Sequence, residues 1–219
     1  TEVKSPARVL SYTENVVGRS GQIRMPPHWP GSIPPLPLDG VERAIKWEYD
    51  AVANSWSCTM PCVRMEKTCF AEGTFRHAYR LLDLSSKKGD QDYVAKISKD
   101  HRDQMSDNYW QEVQVQAVSK LWAKKFNEHP RAPPKKVDFL VAFVLQMFDR
   151  PDSPMCGVEK FVHGEYIKWS NNWDFVDDRR NTPHAFSHFT YEASGHRLVV
   201  CDVQGVGDLY TDPQIHSAD

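Results

Sequence analysis

The chain has 219 residues, 40% of them hydrophobic and 26% charged, with 27 Lys+Arg against 29 Asp+Glu for a formal charge of -2. This is a globular composition, with enough chain to bury roughly 70% of its unfolded surface. Balanced charge argues against wrapping nucleic acid, and the longest apolar run, Phe139 to Leu145, is far short of the ~20 residues of a membrane helix; neither nucleic acid nor membrane is an expected partner.

Residues 1–40 stand apart. They hold seven of the fifteen prolines (Pro6, Pro26, Pro27, Pro30, Pro34, Pro35 and Pro37). Proline fixes φ and removes a donor, so this stretch reads as an extended arm or linker. Within it, Ala7 to Arg24 mixes Arg8, Arg19 and Arg24 with Val9, Leu10, Val16 and Val17. Such a basic amphipathic segment could engage calmodulin or another regulatory protein. Gly18 and Gly21 interrupt it and the apolar stripe is thin, which favours a simple tether. The opening Thr1-Glu2-Val3-Lys4 has no apolar core, so no signal peptide is expected. Five cysteines (Cys58, Cys62, Cys69, Cys156 and Cys201) are an odd number, which fits reduced thiols in a cytoplasmic protein. Cys58 and Cys62 lack a second Cys/His pair at zinc-finger spacing.

From residue 41 the pattern turns to strands. Ala44 to Tyr49 alternates, and Asn54-Ser55 can turn the chain. Val63-Arg64-Met65 is a short strand. Arg76 to Leu82 and Tyr93 to Ile97 form a predicted hairpin across the polar turn Ser86 to Asp90. Asp103 to Asn127 has no Gly or Pro, and Tyr109, Val113, Ala117 and Leu121 recur at i+4, which predicts a long helix. Val137 to Asp149, rich in β-branched and aromatic residues, predicts one buried strand. Thr182-Pro183 predicts a helix start, with Thr182 as N-cap. Leu198 to Cys201 is an apolar strand ending at Asp202. The order implies an α+β fold.

The chemistry concentrates in two places. The first is the run from Asp202 to Gln214, where a strand delivers a carboxylate into a loop holding Gln204, Gly205, Gly207, Asp208 and Asp212. Oxygen ligands of this kind suit Mg²⁺, though an acidic solvated turn has the same composition. The second is Lys96 in Tyr93-Val94-Ala95-Lys96-Ile97, preceded by Phe70-Ala71-Glu72-Gly73-Thr74-Phe75-Arg76. A strand lysine held among apolar neighbours can meet phosphate at a fixed place, and a glycine lets backbone approach it. Glu112 on the long helix is the candidate acid to pair with Lys96. The usual protein-kinase motifs H-R-D, A-P-E and G-x-G-x-x-G are absent, and Asp174-Phe175-Val176 is not a D-F-G.

These residues together resemble the α-kinases, the atypical serine/threonine protein kinases. The resemblance rests on Asp202-Val203-Gln204-Gly205-Val206-Gly207-Asp208, Thr211-Asp212-Pro213-Gln214-Ile215-His216, Phe186 to Tyr191, Phe70 to Gly73, Tyr93 to Lys96, and Asn171-Asn172 with Phe175-Val176. It covers about residues 42–219. It implies a two-lobed kinase fold, with a β-rich N-lobe over about 41–149 and a mixed C-lobe over about 150–219. It implies ATP in the cleft, with Lys96 and Arg76 on phosphate beside the Gly73 loop. Gln146, where the family usually has Glu, and Phe148 would form the hinge strand that meets adenine. Gln204 and Asp212 would hold Mg²⁺ and Asp202 would orient the acceptor hydroxyl; the two aspartates could exchange roles. His188 matches one ligand of the family's structural Zn²⁺, whose other ligands lie in a His-x-Cys-x3-Cys motif that these residues do not contain. Trp173-Asp174 replaces the small pair usual between the paired Asn and Phe-Val. The implied activity is γ-phosphoryl transfer from ATP to a protein Ser or Thr, with elongation factor 2 or a myosin heavy chain as the substrate. A non-catalytic ATP-binding scaffold with the same fold, and an unrelated Mg²⁺-dependent phosphohydrolase, are the alternatives.

Overall fold

A computed structural model describes residues 40–100, 102 and 108–218. The Pro-rich arm up to residue 39, with its calmodulin-like stretch, and positions 103–107 of the predicted long helix lie outside the described residues.

The N-terminal half is built of strands. They are β1 (Glu42–Arg43), β2 (Ile45–Asp50), β3 (Ser55–Thr59), β4 (Cys62–Met65), β5 (Ala71–Glu72), β6 (Arg76–Asp83) and β7 (Asp92–Ser98). Helix α1 (Asn108–Glu128) follows, then β8 (Asp138–Phe139), β9 (Ala142–Gln146), β10 (Met155–Lys160) and β11 (Tyr166–Lys168). The last part holds α2 (Thr182–Ala193), β12 (Leu198–Cys201), β13 (Gln204–Val206), β14 (Leu209–Thr211) and β15 (Gln214–Ser217).

Nine strands form one antiparallel sheet among the described residues, in the order β1-β4-β6-β7-β10-β9-β2-β3 with β5 on β6. The predicted hairpin is its centre, with Leu82 opposite Asp92 and Ala78 opposite Lys96. Asp83 shapes the turn: its carboxylate accepts from the Ser85 N–H and the Ser86 hydroxyl. Asn54 turns β2 into β3 at φ 51, a conformation Asn tolerates better than most residues. The sheet runs on to Lys160, so it does not break at the lobe boundary expected near residue 149.

The stretch expected as one strand from Val137 to Asp149 is two, in different sheets. Phe139 pairs in parallel with Tyr210 of a four-stranded sheet ordered β11-β13-β14-β8, whereas Val144 lies between Trp47 and Gly157 in the large sheet. The chain changes sheets at Leu140 and Val141, where the Leu140 N–H donates to the Tyr210 carbonyl. Apolar composition marks burial but not the partner, which is why the two strands read as one. A third sheet pairs β12 with β15.

Helix α1 joins the halves. Tyr109, Trp110 and Val113 in its first turns pack against Ile45, Trp47, Val144 and Met155 of the large sheet. Val118, Trp122, Ala123 and Phe126 in its later turns pack with Phe139, Trp169, Phe186, Val200 and Tyr210. Fully burying a Val, Ile, Phe or Met side chain among these stabilises by about 1.5–3 kcal/mol. A separate apolar cluster, with Leu81, Ala95, Phe143, Leu145 and Val158, lies on the other face of the large sheet. Helix α2 starts one residue earlier than expected: Asn181 is its N-cap, without a side-chain capping bond, and Pro183 sits in the first turn. No described helix is long and apolar enough to cross a membrane.

Candidate active site

Strand alternation selects which residues share the α1 face of the large sheet. Lys96 is opposite Ala78 and Gly157, Arg76 is opposite Ser98, and Glu159 is two residues from Gly157. Side chains of period two on paired strands put Arg76, Lys96 and Glu159 on one face. Gln146, opposite Met155, lies on that face too, two strands across and two residues along from Lys96.

Lys96 is the centre of the cluster. Its ammonium lies 2.7 Å from Glu159 Oε1 and 2.5 Å from Asp212 Oδ2. Burial alone would lower its pKa, but the carboxylates of Asp212 and Glu159 outweigh that and hold it above the usual lysine range. Burial pushes the Glu159 carboxyl above its ordinary range against the opposing pull of Lys96. Two negative groups thus face one cation, the Asp212 carboxylate on the solvent side with 47% of its side chain exposed.

The expected Lys96–Glu112 pair does not form. Glu112 instead grips both terminal nitrogens of the Arg76 guanidinium, which also stacks 4.9 Å over the Tyr109 ring. The reason is register: Glu112 lies near the Arg76–Ser98 end of the sheet, while β10 brings Glu159 alongside Lys96. Glu159 was not singled out in the sequence, because a lone Glu in a strand carries no motif; only pairing with β7 identifies it. Gly73 closes the short hairpin of β5 and β6, its N–H donating to the Arg76 carbonyl at 2.8 Å.

The loop after β12 supplies the rest. Asp202 and Asp212 both take left-handed backbone conformations, at φ 56 and 49. Asp202 pairs with Lys168 of β11 at 2.7 Å, because Lys168 stands opposite Gln204 in the β11–β13 ladder. Gln204 Nε2 donates to the Asp212 carbonyl at 3.2 Å, which ties its side chain to the same turn. Gly205 crosses directly under β14: a Cβ there would lie 2.2 Å from the Leu209 carbonyl oxygen, so only glycine fits. Asn172 Nδ2 donates to Gln214 Oε1 at 2.7 Å, fastening the Asn171–Val176 loop beside the Asp212 turn.

The structure therefore brings together Lys96, Gln204 and Asp212 from three separate strands and loops, and adds Glu159. Asp202 stands just before Gln204, at the same end of β13, paired with Lys168. Gln146 ends β9, and its buried Oε1 has no hydrogen-bond partner among the described residues. The Phe148 N–H donates to the Gln146 carbonyl at 3.1 Å, and Arg43 lies 5.2 Å over its ring. His188 is exposed on α2, and among the described residues no group of three His, Cys, Asp or Glu could hold a metal ion. Zinc thus has no fitting set of ligands there. A cavity of about 630 Å³ lies elsewhere, between α1 and the β2–β3 turn, and none of Lys96, Asp202 or Asp212 lines it.

Residues 71–219 match the alpha-kinase family. The chain is 50% identical over 186 residues to myosin heavy chain kinase B of Dictyostelium discoideum, covering 83% of this chain and 25% of that protein. It is 42% identical over 184 residues to eukaryotic elongation factor 2 kinase of Homo sapiens, covering 80% and 25%. It thus spans about a quarter of the length of these curated relatives. The crystal structure of the alpha-kinase domain of myosin heavy chain kinase A in complex with ADP superposes with a TM-score of 0.74 at 34% identity, covering 83% of this chain and 85% of that one. The same domain with AMP-PNP gives 0.74 at 32% identity, covering 83% and 84%. Matched over most of its length in sequence and in fold, the chain belongs to the alpha-kinase family.

Proposed function

We propose that this chain transfers the γ-phosphoryl group of ATP to a serine or threonine hydroxyl of a protein. The observation that carries this reading is the cluster of Lys96 with Glu159 and Asp212: a fixed cation on one face of the large sheet, faced by an accessible carboxylate. Family membership and the nucleotide complexes of the kinase A domain support it.

Phosphoryl transfer needs positioning and charge neutralisation more than covalent chemistry from the protein. Lys96 meets the phosphates of ATP, held in place by Glu159. Arg76 adds positive charge beside the Gly73 turn. Gln146 and Phe148 line the adenine end through backbone groups. Asp212 and the free Oε1 of Gln204 are hard oxygen donors from one turn, a set that fits Mg²⁺ when phosphate and water complete the shell. Magnesium, when bound, neutralises phosphate charge. Asp202, already paired with Lys168, orients the acceptor hydroxyl more than it deprotonates it. This suits a loose transition state in which the base does little.

The relatives are named for myosin heavy chain and elongation factor 2, and these are the acceptors to try. Calmodulin binding by residues 7–24 is proposed from composition alone. The five cysteines are free, which supports a cytoplasmic setting.

The test is phosphate incorporation from labelled ATP into either acceptor, with free phosphate measured beside it. Lys96→Met and Asp212→Asn are each expected to lower incorporation by at least about 10²-fold, the usual scale for removing a charge-stabilising group. Wild-type rates in both variants, or phosphate release that needs no acceptor, would overturn the reading.

A further inference from the structure

Helix α1 sends one uncharged side chain into this cluster. Gln116 is 3% exposed. Its Oε1 accepts from the backbone N–H of Asp212 at 3.0 Å, and its Nε2 donates to the Leu140 carbonyl at 2.9 Å. The Thr211 hydroxyl lies 3.4 Å from the same Oε1 and is closely bonded to Glu159. A hydroxyl has one proton, and the buried Glu159 carboxylate is the stronger acceptor, so Thr211 donates there. Glu159 in turn holds Lys96 at 2.7 Å. A continuous polar chain therefore runs from α1 through the Thr211–Asp212 peptide to the lysine.

The need for such a clamp is visible in the backbone. Asp212 has φ 49, a sparsely populated region that persists only when surrounding contacts fix it. Gln116 fixes the N–H side of that residue and Gln204 its carbonyl side. Other buried polar groups of α1 do not reach the turn. Ser119 bonds within the helix to the Val115 carbonyl, and the Gln114 Nε2 has no hydrogen-bond partner among the described residues. Gln116 is the buried side chain of α1 whose bonds reach that turn.

We infer that Gln116 is a positioning residue for phosphoryl transfer. It holds the Thr211–Asp212 peptide so that the Asp212 carboxylate, and through Thr211 and Glu159 the Lys96 ammonium, stand ready for magnesium–ATP. This rests on the kinase reading above. Loss of the clamp displaces catalytic groups without removing them, and small displacements of that kind cost about 10–100-fold in rate.

The experiment uses the whole chain and measures kcat, KM for the protein acceptor, magnesium–ATP affinity and melting temperature. Gln116→Leu is expected to lower kcat about 10–100-fold while KM for the acceptor stays within about twofold. Thr211→Val, which keeps shape but loses the hydroxyl, is expected to lower kcat as well, and Thr211→Ser to restore it to near wild type. Ser119→Ala, an equally buried polar change on the same helix, is expected to leave kcat unchanged. Should Gln116→Leu fail to fold, the Thr211 pair decides. Wild-type kcat in Gln116→Leu or Thr211→Val, with Asp212→Asn inactive, overturns the clamp and leaves the kinase reading standing. Absence of transfer by the wild-type chain overturns both.

Discussion

Lys96 shows how a side chain takes its chemistry from its neighbours. It sits mid-strand with 19% of its side chain exposed, and only two carboxylates make that burial tolerable. Removing one partner of a buried pair leaves an uncompensated charge and costs about 3–5 kcal/mol. The Lys96→Met variant therefore has a stability signature besides its lost activity. Glu159, whose carboxyl burial already raises, would lose its main opposing cation and titrate higher still. A carboxyl raised in the folded state binds its proton more tightly there than in the unfolded chain, so its contribution is full at low pH and fades as pH rises through the folded value. Lys96→Met is thus expected to lose more stability relative to wild type at pH 8 than at pH 5, as measured by urea denaturation at both values. The left-handed aspartates also guide mutagenesis: Asn keeps the backbone preference of Asp202 and Asp212, whereas Ala adds strain to the loss of charge. At this scale Lys96, Gln204 and Asp212 were legible in the sequence because each sits in a run whose residue types suit phosphate or metal. Glu159, Lys168, Thr211 and Gln116 were not, because their roles come from strand register and helix placement, which leave no local pattern.

Elements were read best where turn chemistry and periodicity agreed. The β6–β7 hairpin has polar turn residues between two apolar runs, and it forms at the expected positions. The β13–β14 hairpin depends on close backbone approach instead. Gly205 has φ 152, and any Cβ would collide with β14. Gly205→Ala is expected to destabilise the fold by more than the roughly 1–3 kcal/mol of backbone strain alone, read from a shift in the urea midpoint with an unchanged slope. Because β13 carries Gln204 and abuts Asp202, the variant is also expected to be less active at temperatures well below its melting point. The glycines of that loop looked equally like turn punctuation, and sequence alone could not say which one lies against another strand. The strand expected across Val137 to Asp149 failed for a related reason: hydrophobicity reports that a segment is covered, not by which sheet.

The described residues form two β-rich halves strung on one helix, with the nine-stranded sheet in one and the four- and two-stranded sheets in the other. Helix α1 presents Trp110 to the large sheet and Phe126 to the cluster around Phe186 and Tyr210. If the helix couples them, damage at either end is felt by both. Trp110→Ala and Phe126→Ala are each expected to cost about 3–5 kcal/mol and to lower one shared transition. Far-ultraviolet and near-ultraviolet circular dichroism should then give coincident melting curves for each variant; separate transitions would show that the halves unfold independently. The α+β class and the presence of a long helix were legible in the sequence. Its bridging role was not, because an i+4 apolar stripe shows that a face is buried without showing that two different sheets bury it.

Between Phe139 and Ala142 the chain steps from one β assembly to the other with only Leu140 and Val141 to span the gap, and Leu140 is tied at both its N–H and its carbonyl. So short a strap has no slack to pay out. At this point the two halves can therefore turn about the strap but not draw apart.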